Sequence, residues 1–245
     1  MDKYSSLFLF QTDCIMRKAV LFWSAGKDSA MALNRLKQDP EIEVVALVTT
    51  LNERYKRISM HGISESLLDR QSEQTGIPLI KMWVPDDPDN NSYEKVFLEL
   101  CGELRNKGID ILAFGDIFLD DLRMYRENLA HKAGLRVYFP LWKTPAGQLA
   151  TEFMNAGFRA ITCCVQSGGL GIDWIGRELS PDFFNKLPSA ADPFGENGEY
   201  HTFCYDGPVF NNQITFKKGE IVFKPLNIKQ IDKTEESGFI YLDII

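Results

Sequence analysis

The chain has few cysteines, an excess of acidic over basic side chains and no long hydrophobic run. Its five cysteines are odd in number and scattered apart from Cys163-Cys164, which suits a reducing cytoplasm better than a disulfide framework. The net charge of −7 argues against broad nucleic-acid binding and against an anionic membrane surface, although a local basic pocket remains compatible with it. No segment approaches the roughly 18 apolar residues that a membrane span requires. We therefore expect a cytoplasmic protein without a membrane anchor.

Composition and length favour a folded chain built on one large domain. Hydrophobic residues make up 44% and aromatic residues 12% of the 245 residues, enough for a full core. This length suits one α/β domain, alone or with a smaller appendage. Residues 6–10 are too short for the roughly 7–15-residue core of a signal peptide. We expect the native start at Met16 and a tail over 1–15.

Strand-like and helix-like segments alternate through the first 140 residues. Such alternation predicts a doubly wound parallel sheet, whose ligands sit at the carboxyl ends of the strands. Ser24, Thr49 and Asp116 all fall at such ends. This alternation ends after about residue 141. There we expect a helix at 146–155 and a strand at 160–165, followed by antiparallel strands. We place those strands at 200–205, 213–217 and 220–224, the last two joined by a turn at Lys218-Gly219.

The densest signal is Ser24-Ala25-Gly26-Lys27-Asp28-Ser29, directly after the apolar run 19–23. Asp28 and Ser29 suit the cap or first turn of a helix, and a helix N-terminus reached through a small-residue turn attracts phosphate. Lys27 adds a positive charge, and Ser24 and Ser29 add hydroxyl donors. The stretch is not the G-x-x-x-x-G-K-S/T loop, because Leu21 replaces its first glycine and Asp28 follows the lysine. It predicts a nucleotide phosphate site, against the alternative of an ordinary strand–turn–helix.

A second dense cluster runs from Phe194 to Thr202. Glu196 and Glu199, three residues apart, accompany His201 and two glycines, so the loop carries acid–base or metal-binding groups and leaves room for a ligand. Taken alone, it also fits a polar hairpin loop. Two further candidates have plain alternatives: His61 as a solvated loop residue, and Asp116 as the cap of the next helix.

Together these motifs resemble a known family. Residues 24–29 resemble the pyrophosphate loop S-G-G-K-D-S of the ATP pyrophosphatase superfamily, with Ala25 at the first glycine. The string G-E-N-G-E-Y-H-T at 195–202 resembles the signature of the diphthine–ammonia ligase-like branch. Further matches are Met60-His61, Gly115-Asp116-Ile117 and Pro140-Leu141-Trp142. The resemblance extends from about residue 18 to about 223, and it departs at Ala25 and at Phe194, where many members have cysteine.

The resemblance implies a fold, a reaction and a set of site residues. It implies a nucleotide-binding domain of Rossmann-like type at 16–142, a smaller C-terminal α+β substrate domain at 143–226, and tails at 1–15 and 227–245. ATP is cleaved between its α and β phosphates, AMP passes to a substrate carboxylate, and ammonia converts the acyl-adenylate to an amide, with Mg²⁺ as cofactor. The implied catalytic residues are Lys27, Asp116, Glu196, Glu199 and His201. The implied nucleotide-binding residues are Ser24, Ala25, Gly26, Lys27, Asp28, Ser29, His61 and Gly115, and the implied metal ligands are Asp28 and Asp116.

Alternatives to diphthine as the acceptor stay open. Bacterial paralogues are suspected of acting on another carboxylate, such as a corrinoid intermediate, and a non-catalytic ATP-binding module is a hypothesis of a different class. Sulfur transfer to tRNA is a minor alternative, because the chain has no Cys-x-x-Cys pair and is acidic. A homodimer is compatible with the sequence.

Overall fold

A computed structural model describes residues 16–86, 89–225 and 238–245. Within these ranges the chain forms a five-stranded sheet and a four-stranded sheet. The tail predicted at 1–15 lies outside the described residues, as does most of the one predicted at 227–245. In the described part of the chain, no helix combines the length and the apolar character needed to cross a membrane.

The first sheet is parallel throughout and has the strand order β3-β2-β1-β4-β5. Its strands are β1 (Arg17–Phe22), β2 (Ile42–Asn52), β3 (Leu79–Val84), β4 (Ile111–Ala113) and β5 (Arg136–Tyr138). The connecting helices are α1 (Lys27–Gln38), α2 (Glu65–Thr75), α3 (Asn90–Asn106) and α4 (Asp120–Lys132). Strands alternating with helices confirm the predicted doubly wound fold.

Side chains of the central strand β1 feed a core on each face of this sheet. Ala19 and Leu21 belong to one buried cluster, and Val20 between them belongs to the other, as the alternation of side chains along a strand requires. Helices α1 and α2 contribute to the first cluster, whereas α3 and α4 contribute Phe97 and Leu129 to the second. Both faces of the sheet are therefore covered, which explains its near-continuous apolar strands.

The second sheet is antiparallel and packs on the α1 side of the first. Its order is β7-β6-β9-β8. The elements are α5 (Ala146–Asn155), β6 (Arg159–Gln166), α6 (Pro181–Lys186), β7 (Tyr200–Asp206), β8 (Lys218–Pro225) and β9 (Gly238–Ile244). Phe153 and Phe203 join the same buried cluster as Leu33 of α1. Because this core is continuous across the two sheets, it does not mark a boundary between residues 142 and 143. The two domains expected at 16–142 and 143–226 therefore stay a prediction from the sequence.

The C-terminal predictions need correction. Residues 213–217 do not form a strand, and Lys218-Gly219 lies inside β8 instead of forming a turn. The predicted tail at 227–245 is wrong for residues 238–244, which form β9 between β6 and β8. β9 alternates buried and half-buried residues along its length, the pattern of a strand with one covered face.

Candidate active site

The loop between β1 and α1 forms the N-terminus of a twelve-residue helix. The helix begins at Lys27 with Gly26 as its N-cap, one or two residues earlier than the sequence indicates. Ser29 Oγ donates to the Gly26 carbonyl at 3.0 Å, and Ser24 Oγ accepts from the Gly26 amide at 3.3 Å. The first amides of the helix have no partner within the helix, and together with the positive end of the helix dipole they suit an anion at this position.

Two distant elements hold the backbone of this loop in place. The Lys27 amide donates to Thr202 Oγ1 of β7 at 3.0 Å, and the Cys204 amide donates to the Ala25 carbonyl at 2.9 Å. Gln71 of α2, which is fully buried, donates to the carbonyls of Ala25 and Cys204 at 3.1 and 2.7 Å and accepts from Trp23 Nε1 at 2.7 Å. The loop is thus fastened to both α2 and β7.

Ala25 and two glycines meet the steric demands of the loop. Ala25 is buried and has a φ of +67°, a left-handed conformation that a non-glycine residue adopts at a cost. A Cβ at Gly26 would lie 3.0 Å from His61 Nε2, and one at Gly115 would lie 3.0 Å from the Asp28 carbonyl carbon. Gly115 therefore allows the end of β4 to approach the backbone of α1 closely.

The Lys27 side chain is held inside the site and does not extend freely into solvent. It is only 2% exposed, and its Nζ lies 3.1 Å from Asp28 Oδ2. The same ammonium lies over the rings of Phe194 and Tyr200, 4.5 and 5.1 Å from their centroids. A carboxylate and two aromatic faces thus hold this ammonium group at the base of the loop.

The second motif folds into a loop organised by Asp192 and Glu199. Asp192 Oδ1 accepts from the amides of Phe194 and Glu196 at 2.8 and 3.2 Å. Glu199 Oε1 accepts from the Asp192 amide at 2.8 Å, and Oε2 accepts from the Asn197 amide at 3.0 Å. Burial by itself raises the pKa of Glu199, but these hydrogen bonds outweigh it and leave the pKa below its ordinary value. Glu199 does not line the cleft, so its position supports a role in shaping the loop and not the predicted contact with substrate.

Three carboxyl groups from different parts of the chain face one another in the cleft. Burial raises the pKa of Asp28, and it also raises the pKa of Asp116 despite the opposing charge of Arg126. Burial, and then the charge of Asp28, raise the pKa of Glu196 to about 8. Arg126 Nη2 donates to Asp116 Oδ1 at 3.2 Å, and Arg126 Nε lies 2.7 Å from Asp116 Oδ2 as part of the same ion pair. Glu196 therefore carries a proton at neutral pH until a cation or a basic group enters.

Two histidines from opposite sides of the cleft meet beside the loop. The ring centroids of His61 and His201 lie 4.7 Å apart. His61 Nδ1 and His201 Nε2 are buried and have no hydrogen-bond partner within the described ranges of the chain. Burial and the charge of Lys27 lower the pKa of His201 to about 4, and burial with the neighbouring His201 lowers that of His61 well below its ordinary value. Both imidazoles are neutral at physiological pH and offer nitrogens to a ligand.

These groups line one cleft of about 800 Å³, a size suited to a nucleotide. The predicted residues that line it are Ser24, Lys27, Asp28, Ser29, His61, Gly115, Asp116, Glu196 and His201. Ala25, Gly26 and Glu199 are not among the lining residues. In the part of the chain that the structure describes, no group of three or more His, Cys, Asp or Glu is arranged to hold a metal ion. The predicted ligands Asp28 and Asp116 would thus depend on oxygens from a bound substrate.

Sequence reasoning missed Gln71, which fastens the loop from outside both motifs. Thr202, the last residue of the second motif, fastens the loop from β7. Thr49, expected at a strand end, lines the cleft and is 1% exposed, and its hydroxyl has no hydrogen-bond partner among the described residues. Gln71 follows the apolar pair Leu67-Leu68 at helical spacing, and a glutamine on an apolar helix face is the signal that would have indicated a buried polar role.

The chain matches two family models that together cover most of its length. The "Diphthamide synthase N-terminal domain" matches residues 16–137, and the "Diphthamide synthase C-terminal domain" matches residues 145–236. The diphthine–ammonia ligase of Danio rerio is 24% identical over 65% of this chain and 69% of its own length. That of Schizosaccharomyces pombe is 28% identical over 46% of this chain, which is 20% of its own length.

One solved structure matches part of the chain. The U34-tRNA thiolase NcsA of Methanococcus maripaludis, solved with its 4Fe-4S cluster, is 19% identical over 58% of each chain, with a TM-score of 0.34. Nothing about the site follows from so weak a likeness. The two family matches and the loop at 195–202 agree, and the chain belongs to the diphthine–ammonia ligase-like family of diphthamide synthases.

Proposed function

We propose that this protein is an ATP-dependent ligase that activates a substrate carboxylate as an acyl-adenylate and converts it to an amide with ammonia. One observation carries the proposal: the phosphate-type helix N-terminus and the carboxylate–histidine loop line the same cleft. They are joined directly by the hydrogen bond from the Lys27 amide to Thr202. The ligase names of the related proteins support the same reaction class.

The phosphate chain of ATP fits the loop by charge and by hydrogen-bond donors. The amides that follow Lys27 at the start of α1, the hydroxyls of Ser24 and Ser29, and the buried Lys27 ammonium would oppose the negative charge that builds on the leaving pyrophosphate. His61 Nε2 lies beside Gly26 and would contact the same phosphates. This part of the reaction requires preorganised charge and no covalent step by the protein.

Asp28 and Asp116 fit a Mg²⁺ ion that arrives with the nucleotide. Asp28 Oδ1 is buried and has no hydrogen-bond partner in the part of the chain that the structure describes. Mg²⁺ in nucleotide sites is commonly held by one or two carboxylates together with phosphate oxygens and water. When bound there, Mg²⁺ would supply further neutralisation of phosphate charge. Burial and the neighbouring carboxyl groups keep Glu196 protonated, and the Mg²⁺ ion would give its ionised carboxylate a positively charged partner.

The remaining groups suit amide formation. A carboxylate oxygen of the acceptor attacks the α phosphorus, the bond to pyrophosphate breaks, and pyrophosphate leaves with its electron pair. Ammonia then attacks the acyl carbon, AMP departs, and one proton is lost. Neutral His201 and the carboxyl group of Glu196 line the cleft and would accept hydrogen bonds from ammonia. We propose diphthine on a protein as the acceptor, with a small-molecule carboxylate such as a corrinoid acid as the second candidate.

The test is the formation of AMP and pyrophosphate from Mg-ATP and ammonium with each acceptor class. Lys27→Gln and Glu196→Ala should lower the rate by about 100-fold or more, since each removes a preorganised charged or polar group from the site. Lys186→Gln is the matched control, because Lys186 is exposed and pairs with exposed Asp182 on the same helix, α6. Circular dichroism and thermal melting would confirm that each variant folds.

The products distinguish the competing hypotheses. AMP and pyrophosphate formed with one acceptor pool, and lost in both site variants, would support the ligase and identify the acceptor class. ATP binding without cleavage in any pool would favour a nucleotide-binding module. Release of ADP and phosphate would contradict the assignment of residues 24–29 as a pyrophosphate loop.

A further inference from the structure

His61 sits at the tip of a small hairpin between β2 and α2. Arg57 and Ser64 close its base as an antiparallel bridge. The Ile58 amide donates to the Ile63 carbonyl at 3.0 Å, and the Gly62 amide donates to the Ile58 carbonyl at 2.8 Å. Ile63 is 1% exposed and belongs to the main core. We name residues 57–64 the His61 hairpin; its base is anchored, and its tip reaches the cleft.

The tip rests on a row of side chains that crosses three strands of the second sheet. His201 of β7 is in register with Cys164 of β6, which is in register with Tyr241 of β9, and residues opposite one another share a face. The His61 ring packs against His201 at one end of this row, with the two rings tilted by 46°. Gly62 packs on the other end: its φ is +68°, and a Cβ there would lie 3.1 Å from Tyr241 Cδ1. The row therefore forms a floor beneath the tip.

An ion pair ties the same hairpin to β9. Arg57 Nη1 donates to the Gly62 carbonyl at 2.8 Å and lies 2.8 Å from Asp243 Oδ1. Asp243 is two residues beyond Tyr241, so the two side chains share a face of the strand. The pair is not aligned as a hydrogen bond, and its two side chains are 38% and 32% exposed. The ion pair holds the Arg57 side chain, and Arg57 in turn holds the backbone of the tip through its hydrogen bond to the Gly62 carbonyl.

β9 is itself firmly held. It pairs with β6 on one side and β8 on the other, and at its start Gly238 and Ser167 exchange hydrogen bonds of 2.9 Å in both directions. It also lies beyond the residues matched by the two family models, which end at 236. Its contacts with the hairpin are thus features of this chain that the family match does not cover.

We propose that β9 is part of the ATP site: Tyr241 and Asp243 are positioning residues that set the His61 hairpin against the phosphate loop. The inference rests on the proposed ATP binding. Its physical basis is the close approach of His61 Nε2 to Gly26, where a Cβ would already lie 3.0 Å away. At this separation, a shift of the tip by a fraction of an ångström changes every contact that His61 can make with a bound phosphate.

A double-mutant cycle tests the proposal by ATP affinity, measured calorimetrically for the full chain. Asp243→Asn removes the charge that holds Arg57, and His61→Ala removes the group being positioned. Each should weaken ATP binding by about tenfold, while the double variant should bind no more weakly than His61→Ala alone. Asp243→Glu should restore most of the affinity. Glu178→Gln breaks the pair with Arg159, also 2.8 Å long, and should lower the melting temperature without changing ATP affinity.

The outcomes separate the two levels of the argument. Failure of the wild type to bind ATP would contradict the proposed function. Wild-type affinity in Asp243→Asn, or additive losses in the double variant, would overturn the positioning role and leave ATP binding intact. If Asp243→Asn does not fold, two other variants test the contact between β9 and the His61 hairpin. Arg57→Lys alters the ion pair, and Tyr241→Leu alters the surface on which Gly62 packs. Normal ATP affinity in both would equally overturn the inference.

Discussion

At the scale of single residues, Ala25 combines a conformational cost with a fixed set of contacts. Its φ of +67° lies where glycine is favoured, yet its carbonyl accepts from both Gln71 and the Cys204 amide. These hydrogen bonds hold the peptide in the left-handed conformation. Alanine is therefore tolerated at this position, because its side chain is small and because the hydrogen bonds from its neighbours fix its backbone conformation.

Two substitutions at Ala25 should separate backbone strain from packing. Ala25→Gly relieves the strain but increases the entropy of the unfolded chain and removes a buried methyl group, so we expect a change in unfolding free energy within about 1 kcal/mol. Ala25→Val places a β-branched residue at positive φ and should cost more than about 2 kcal/mol. Urea denaturation measures both. Equal stabilities for the two variants would contradict the left-handed conformation.

At the scale of elements, α2 determines the relation between the phosphate loop and the second sheet. Its buried Gln71 contacts Trp23 and Ala25 in the loop and Cys204 in β7. A helix that would otherwise only cover the parallel sheet therefore carries a polar link between two elements that bear site residues. A buried amide with both of its ends satisfied is rigid, since any shift leaves donors or acceptors without partners.

Gln71→Ala should therefore destabilise the protein far more than a change elsewhere on the same helix. It leaves buried polar groups of Trp23 and Cys204 unsatisfied, and we expect a loss of roughly 2–4 kcal/mol in unfolding free energy together with weaker ATP binding. Gln74→Ala is the control, because the side chain of Gln74 accepts an exposed hydrogen bond from Asn212. Chemical denaturation compares the two. Similar losses would mean that the buried network contributes little.

At the scale of the whole molecule, the cleft between the two sheets buries ionisable groups, and this burial makes the stability of the fold depend on pH. Burial and the charge of Lys27 lower the pKa of His201 to about 4, and His61 lies against the same ring. In the unfolded chain a histidine titrates near its ordinary pKa of about 6.5. The folded state therefore binds fewer protons between these two values, and its stability falls as the pH falls through them.

Acid should unfold the wild type earlier than a variant that lacks this group. We expect His201 to account for a loss of roughly 2 kcal/mol between pH 6.5 and pH 4, with full stability above pH 6.5. His201→Gln should remove that part of the slope, whereas His131→Gln, at an exposed site on α4, should not. Unfolding free energies measured across this pH range decide the point. A parallel decline in wild type and His201→Gln would show that other groups govern the acid limit.

The local sequence was enough to predict the architecture of the first half, and most of the predicted site residues line the cleft. The alternating segments predicted the doubly wound sheet, and residues 24–29 were predicted as the turn into a helix. Glu196 and His201 were found because a short string carries both carboxylate and imidazole groups between glycines. Each of these features is set by neighbours within a few residues, through backbone geometry, capping and strand or helix periodicity.

Only the tertiary structure decided which distant residues complete the site. Thr202 meets the Lys27 amide across 175 positions, and Gln71 meets Cys204 across 133. Glu199 is turned into its own loop, and residues 238–244 form a central strand instead of a tail. The physical reason is common to all four. Local patterns specify elements, but the partner of a buried polar group or a strand edge is selected by how the elements pack together.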